Sequence, residues 1–295
     1  MILVVGATGM LGSAICEGLR RRGAPVTALV RDGSPGEARL AGLGCEIVHG
    51  DLKTPAALVA TLRRTATVIT TANSIVSRRK GDSIQRVDRE GSLALVARAE
   101  QSGVKQFVYT SLSPVLPADN DFVRAKRAVE SALRSSRMAW TILQPAAYME
   151  IHAGPVAGRD FAAGRARILG EGRAPMSCIS VQDVAAFAVD AATNPAAARR
   201  ALHRVGPEPL SALDAVRIAE RVTGRTFTVQ RAPIGVLKVL APLVRPFNRT
   251  VESIMRMGIA LDRGETADMT ATLRDFPITL TTFEQYVRRV VEARP

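Results

Sequence analysis

Residues 1–22, MILVVGATGMLGSAICEGLRRR, restrict the amino-terminal fold sharply. Four apolar residues at 2–5 make a buried strand. Glycines follow at 6, 9 and 12, at the head of a helical pattern over 10–22. The first glycine permits a tight turn, the second lets a phosphate close on the backbone, and the third lets the helix pack against the strand. Free N–H groups at the helix start favour negative charge there. Strand, motif and helix in register therefore point to a dinucleotide held by Gly6, Thr8, Gly9, Met10, Leu11 and Gly12. The alternative is a glycine turn that is merely structural.

The rest of the first half repeats this rhythm. Short β-branched runs at 2–5, 26–30, 45–48, 67–71, 106–110 and 140–143 alternate with helical patterns near 10–22, 54–63, 83–102 and 120–136. In 83–102 the helical stripe is Ile84, Val87, Leu93, Val96 and Ala97. Strands separated by helices make βαβ units, and right-handed crossovers give a parallel sheet covered on both faces. The expected fold is α/β, a doubly wound Rossmann sheet over 1–150 with a smaller, more helical carboxyl-terminal substrate lobe over 151–295. Residues 150–174 read as loop. A strand end feeds a helix over 179–193, so 175–195 is expected to pack back on the first domain. Helices follow at 211–223, 234–258 and 281–292, with short strands near 202–205 and 226–230.

Composition narrows the class. The 295 residues are 47% hydrophobic and only 4% aromatic, as in an Ala/Val/Leu-rich α/β protein. The formal net charge of +13 raises nucleic acid or a membrane surface as partners. The charge is spread evenly, however: residues 1–150 hold 20 Lys/Arg and 13 Asp/Glu, and 151–295 hold 20 and 14. That reads as a solvated, arginine-rich surface, with no helix-turn-helix or zinc signature for specific nucleic-acid binding. Cys16, Cys45 and Cys178 are odd in number and include no C-x-x-C pair, and His49, His152 and His203 are scattered. Reduced thiols, no metal and a cytoplasmic location are expected. No basic leader precedes the apolar run at Ile2. The longest membrane-like stretch, 232–244, is too short to span and contains Lys238.

Further motifs extend the nucleotide reading. The second strand ends VTALVRDG, where NAD enzymes usually place an acidic side chain for the ribose 2′-hydroxyl. Here Val30 holds that position and Arg31 follows. A guanidinium there pairs with a 2′-phosphate, which favours NADP(H) over NAD(H); the opposing reading takes Asp32 as the ribose ligand. After the third strand, Asp51 is placed to accept from an adenine amino group while Leu52 packs on the ring; the alternative is that Asp51 caps a helix near Pro55. Thr71, Ala72, Asn73 and Ser74 end the fourth strand with small side chains that let a ribose pass.

GATGMLG, VRD, GDL, TTANS, GVKQFVYTS (103–111), FVRAKRAVE (122–130) and WTILQPAAYME (140–150) together resemble the atypical short-chain dehydrogenase/reductases. Within these the chain is similar to the NmrA-like and isoflavone-reductase-like branch, well over 1–195 and loosely beyond. The resemblance implies a Rossmann fold, NADP(H), and a substrate cleft between the sheet and the carboxyl-terminal lobe. It also implies where the chain departs. The superfamily's Tyr-x-x-x-Lys reads Phe122-Val-Arg-Ala-Lys126, so the lysine is kept and the phenol is gone. The superfamily's serine aligns with Leu112, flanked by Ser111 and Ser113. Lys126 is thus the catalytic candidate, as a cofactor-positioning group or as the proton donor itself; the plain alternative is a solvated helix lysine beside Glu130. Ser111 and Pro145 are expected at the cofactor, and Ser113, Tyr148 and Met149 at the substrate; the alternative for Tyr148 is a buried structural tyrosine. Residues 236–261 are expected to form a helical lid over an apolar substrate, or else a surface helix that docks on a membrane or partner.

The expected function is hydride transfer from NADPH to a small, fairly apolar carbonyl, quinone or conjugated substrate. Losing one positioned acid costs about 10²–10⁴-fold, which a substrate needing no strong proton donor tolerates. The alternative is a non-catalytic NADP(H)-binding redox sensor or assembly factor.

Overall fold

The computed structural model describes residues 1–77, 79–152, 154, 157–161 and 163–293. In chain order the elements are β1 (Ile2–Val5), α1 (Met10–Arg21), β2 (Val26–Val30), α2 (Glu37–Gly42), β3 (Glu46–His49), α3 (Val59–Arg63), β4 (Thr67–Thr70), α4 (Ser92–Gln101), β5 (Gln106–Thr110), α5 (Asp121–Ser135) and β6 (Ala139–Pro145). Then come α6 (Met149–His152), β7 (Arg165–Leu169), α7 (Val181–Ala191), β8 (Arg200–Arg204), α8 (Ala212–Thr223) and β9 (Thr228–Ala232). Last are α9 (Ile234–Val244), α10 (Arg249–Leu261), α11 (Thr270–Asp275) and α12 (Phe283–Glu292). The chain divides into two compact units. One comprises Met1–Leu112, Asp121–Gln144 and Val184–Leu202; the other comprises Ser113–Asn120, Pro145–Asp183 and His203–Pro295.

The first unit is built on a seven-stranded sheet in the order β3-β2-β1-β4-β5-β6-β8. β1 pairs in parallel with β2 and β4, and parallel pairing continues outward to β3 and to β6. This is the Rossmann arrangement. The winding direction reverses between β1 and β4, so the turns after these strands share the crevice at their carboxyl ends. β1, β2 and β4 are buried along their whole length, because helices cover both faces. Leu3, Val5, Leu62, Val68, Leu95, Phe107, Val129 and Ile142 lie in one core cluster.

The helix over 83–102 departs from simple periodicity. Ile84–Gly91 is wound as a π-helix before α4 begins, and the Ser92 hydroxyl donates to the Val87 carbonyl at 3.0 Å. The wider winding rotates the following turns. Ile84, Val87 and Val96 are buried as the stripe requires, but Leu95 and Ala99 replace Leu93 and Ala97 as the deepest positions, and Ala97 is exposed.

In the second unit β7 pairs in parallel with β9, Arg165 opposite Thr228 through Leu169 opposite Ala232. Phe161, Ile168, Val216, Phe227, Phe283 and Tyr286 belong to its core. α8 starts with a capping box between Ser211 and Asp214 and ends at Gly224, φ +67°. Residues 150–174 are not all loop: they hold most of α6 and the whole of β7. RARIL buries Ala166 and Ile168 and exposes Arg165 and Arg167, the alternation of a half-buried strand. Ala153, Pro155, Val156 and Ala162 of that stretch lie outside the described residues. The helix expected at 234–258 is two. Pro246 has no N–H with which to continue α9, and the Asn248 side chain accepts from Val251 N at 3.0 Å to start α10. Val236, Val239, Leu243 and Phe247 of the expected lid are exposed. Among the described residues no helix is long and apolar enough to cross a membrane.

Candidate functional site

The glycine turn closes on itself. Gly6 adopts φ +81° and its carbonyl accepts from Gly9 N at 3.1 Å. A Cβ at Gly6 would meet Thr71 Oγ1 at 2.8 Å and Ala72 N at 2.9 Å; one at Gly12 would meet the Gly6 carbonyl oxygen at 2.1 Å. Both positions are therefore closed to any side chain by the protein's own atoms. Gly9 differs: a Cβ there would touch only the Gly6 oxygen, at 3.4 Å. Gly9 is also the N-cap of α1, where no side chain caps the helix and no acidic residue occupies the first turn. The bare helix start, the open face of Gly9 and the exposed Met10 fit a phosphate. Leu11 is buried, and the Thr8 hydroxyl accepts from Ser34 at 3.3 Å.

Beyond β2, Arg31 Nη1 donates to Asp82 Oδ2 at 2.7 Å, and Lys53 Nζ and Ser77 Oγ also bond this carboxylate. Burial pushes the Asp82 carboxyl up, but these hydrogen bonds outweigh it and hold the group at about 2. Asp82 and Lys53 stand far from Arg31 in sequence, and no spacing rule points to them. Asp32 is almost fully exposed and lies 2.8 Å from His49 Nδ1. Asp51 does not cap a helix. Its Oδ1 accepts from Lys53 N at 2.8 Å, and Thr54 precedes the helical turn at Pro55–Leu58. Leu52 is buried in the core cluster.

After β4, the Thr71 hydroxyl faces the Val5 and Gly6 carbonyls at 3.5 and 3.4 Å. Asn73 is exposed. Ser74 is buried and gives both its hydroxyl and its N–H to Asp88. Asp88 is fully buried; burial raises its carboxyl, while Lys126 and the bonds from Ser74 lower it. An acidic residue on the apolar stripe of 84–91 was the readable sign of this site.

Lys126 is not a solvated lysine: it is 4% exposed. Nζ donates to the Thr110 carbonyl at 3.2 Å and to the Ala72 carbonyl at 3.4 Å, tying the ends of β4 and β5. It also sits 5.0 Å from the Tyr109 ring centroid and 5.7 Å from that of Phe122. Burial lowers its pKa, and the charges of Asp88 and Glu130 oppose that. Glu130 is itself buried. It accepts from Ser111 Oγ at 2.5 Å, from Gln144 Nε2 at 3.1 Å and from Arg127. The Tyr109 hydroxyl is buried without a partner among the described residues, and burial raises it well above the usual range.

Ser113, Pro145, Tyr148 and Met149 belong to the second unit. The Ser113 hydroxyl donates to Glu265, which His203 Nε2 also approaches, at 2.6 Å. The Tyr148 hydroxyl is buried without a partner among the described residues, and burial pushes it up, so it keeps its proton. Met149 lies in the unit's core.

Residues 1–287 match the model of the NmrA-like family, and the chain belongs to that family. It is 30% identical, over 97% of its length and 89% of the relative, to a photosystem II assembly factor of Synechocystis sp.. It is 34% identical, over 76% of its length and 74% of the relative, to a (4-alkanoyl-5-oxo-2,5-dihydrofuran-3-yl)methyl phosphate reductase of Streptomyces griseus. An NADPH-dependent quinone oxidoreductase of Escherichia coli, solved with NADPH, shares the fold with a TM-score of 0.79 at 19% identity, covering 99% of this chain and 100% of that one.

Proposed function

We propose that the chain binds NADP(H) and reduces a small, fairly apolar carbonyl, quinone or conjugated compound. The observation that carries this is the bare start of α1 behind Gly9, beside a Gly6–Gly12 turn that the protein's own backbone forces to be glycine. In this proposal the turn holds the pyrophosphate, and Arg31, with Lys53 beside it, favours the cofactor form bearing the extra phosphate. Asp51 and Leu52 bound the adenine, and Thr71 to Ser74 line the ribose path. When bound, the reduced nicotinamide supplies a hydride. Lys126 holds the β4 and β5 ends in place and faces the cofactor, and Ser111 and Pro145 border it. Ser113, Tyr148 and Met149 serve the substrate, and residues 151–295 form most of the substrate region. Reductases among the relatives support the chemistry. The unpaired Cys16, Cys45 and Cys178 suit a reducing, cytoplasmic compartment.

The test is NADPH oxidation against a panel of quinones and enones, run beside calorimetric titration of NADPH and NADH. Turnover with at least one apolar acceptor is expected, with NADPH bound more tightly than NADH. Arg31→Ala should weaken NADPH roughly ten- to hundredfold, the worth of a charge-assisted hydrogen bond, and NADH much less. Equal affinities for the two cofactors in the unmodified chain would refute the phosphate assignment. Tight NADPH binding with no turnover favours a second reading, a nucleotide-loaded assembly factor. Phe122 in place of the phenol and the 30% identical assembly factor support that reading.

A further inference from the structure

The second unit contains a cavity of about 90 Å³ whose wall is mostly apolar, with Met149, Leu210 and Phe283 among its residues. One wall residue does not belong in such a place. Arg159 is 8% exposed, lines the cavity, and its Nε is buried without a hydrogen-bond partner among the described residues. Its backbone is fixed. Gly158 turns the chain at φ +78°, Arg159 N donates to the Gly154 carbonyl at 3.2 Å, and the next residue, Asp160, makes a two-way backbone bridge to Arg165. Three exposed arginines of the unit have carboxylates: Arg217 has Asp214, Arg221 has Glu284 and Arg231 has Glu171. Among the described residues no carboxylate pairs with Arg159.

A guanidinium keeps its charge under all ordinary conditions. A buried charge without a counter-ion is strongly unfavourable, and proteins keep one only where something answers it. Two acidic residues do line the same cavity, but neither answers Arg159. Glu208 accepts from Phe283 N at 2.7 Å, and Asp262 lies against Gly170, where an added Cβ would strike its carboxylate. Neither is among the groups whose charge bears on Arg159, and their own charges oppose a dianion more than a monoanion. His152, also on the wall, is held neutral by burial and by Arg159, its pKa pushed down to about 4, and so adds no second cation.

We propose that this cavity binds a small amphipathic monoanion, a carboxylate with a short apolar body, whose head group pairs with Arg159 while the body lies against Met149, Leu210 and Phe283. None of the residues assigned above to the nucleotide lines this cavity, Met149 is shared with the proposed substrate region, and the test requires no nucleotide.

The experiment titrates the full chain with butyrate, 1-butanol and succinate, by calorimetry and by side-chain Nε–H NMR. Butyrate should bind at least about tenfold more tightly than butanol, which lacks the charge, and than succinate, which carries two. One buried arginine Nε–H resonance should shift on adding butyrate. Arg159→Met should bind butyrate at least about tenfold more weakly and bind butanol no worse. Should Arg159→Met fail to fold, the resonance shift in the unmodified chain decides the matter, and Arg159→Lys should bind butyrate with intermediate strength. Equal binding of butyrate and butanol, undiminished binding by Arg159→Met, or an unmoved Nε–H resonance each overturn the proposal.

Discussion

At the scale of single residues, Lys126 and Asp88 depend on one another. Each is buried, and each charge favours the ionised form of the other. Lys126→Met removes the cation and leaves Asp88 in an apolar setting, so the Asp88 carboxyl rises further. A carboxyl whose folded pKa lies above its unfolded value loses stability as pH climbs from the unfolded value toward the folded one. The variant should therefore match the unmodified chain best near pH 4 and fall behind it toward pH 7, in denaturant unfolding followed across pH. Lys126→Met with Asp88→Asn should recover most of that difference. The same variant separates two roles in reduction. If Lys126 positions the cofactor, NADPH binding weakens and single-turnover reduction at saturating NADPH is largely kept. Near-complete loss of rate with unchanged NADPH affinity would make Lys126 the proton donor.

At the scale of elements, two glycines three residues apart in one turn, Gly9 and Gly12, answer to different constraints. Gly12→Ala drives a Cβ into the Gly6 carbonyl, which is rigid backbone, and should destabilise the first unit by about 1–3 kcal/mol or more. Gly6, with φ +81°, is under the same fold constraint. Gly9→Ala meets an ordinary contact and should leave unfolding within about 0.5 kcal/mol of the unmodified chain. Its loss should appear in NADPH titration instead. A Gly9→Ala chain with unchanged NADPH affinity would remove the turn from the nucleotide site. The contrast also shows what was legible in the sequence. Strands through β6 are visible as β-branched runs because both faces of the inner ones are covered; β3, at the sheet edge, has exposed ends at Glu46 and His49. The turn is visible because Gly6 and Gly12 are sterically required. The Asp82 clasp on Arg31 is not, since it joins positions 51 residues apart. α2 and α11, six residues each, are too short to show a period. β7 hides in an Arg/Gly/Ala-rich stretch whose alternation covers only five residues.

At the scale of the whole molecule, the +13 charge is distributed over both halves of the sequence and many arginines are matched to carboxylates on the surface. DNA binding should therefore be weak, indifferent to sequence and lost at moderate salt, because it would rest on counterion release alone. A footprint on a defined sequence near physiological ionic strength would contradict this. The interleaving of the two units along the chain has a different consequence, for synthesis. β1 emerges first, yet its partner β4 follows only after residues 6–66 have been made. The outer edge of β6 waits almost as long, until β8 arrives after residues 146–199, which include the other unit's segment through Asp183, have been made. At about 5–20 residues per second, that edge stays unpaired for seconds on every chain made. An unpaired strand edge is a template for aggregation, so β6 is the edge that needs shielding before residue 200 is made.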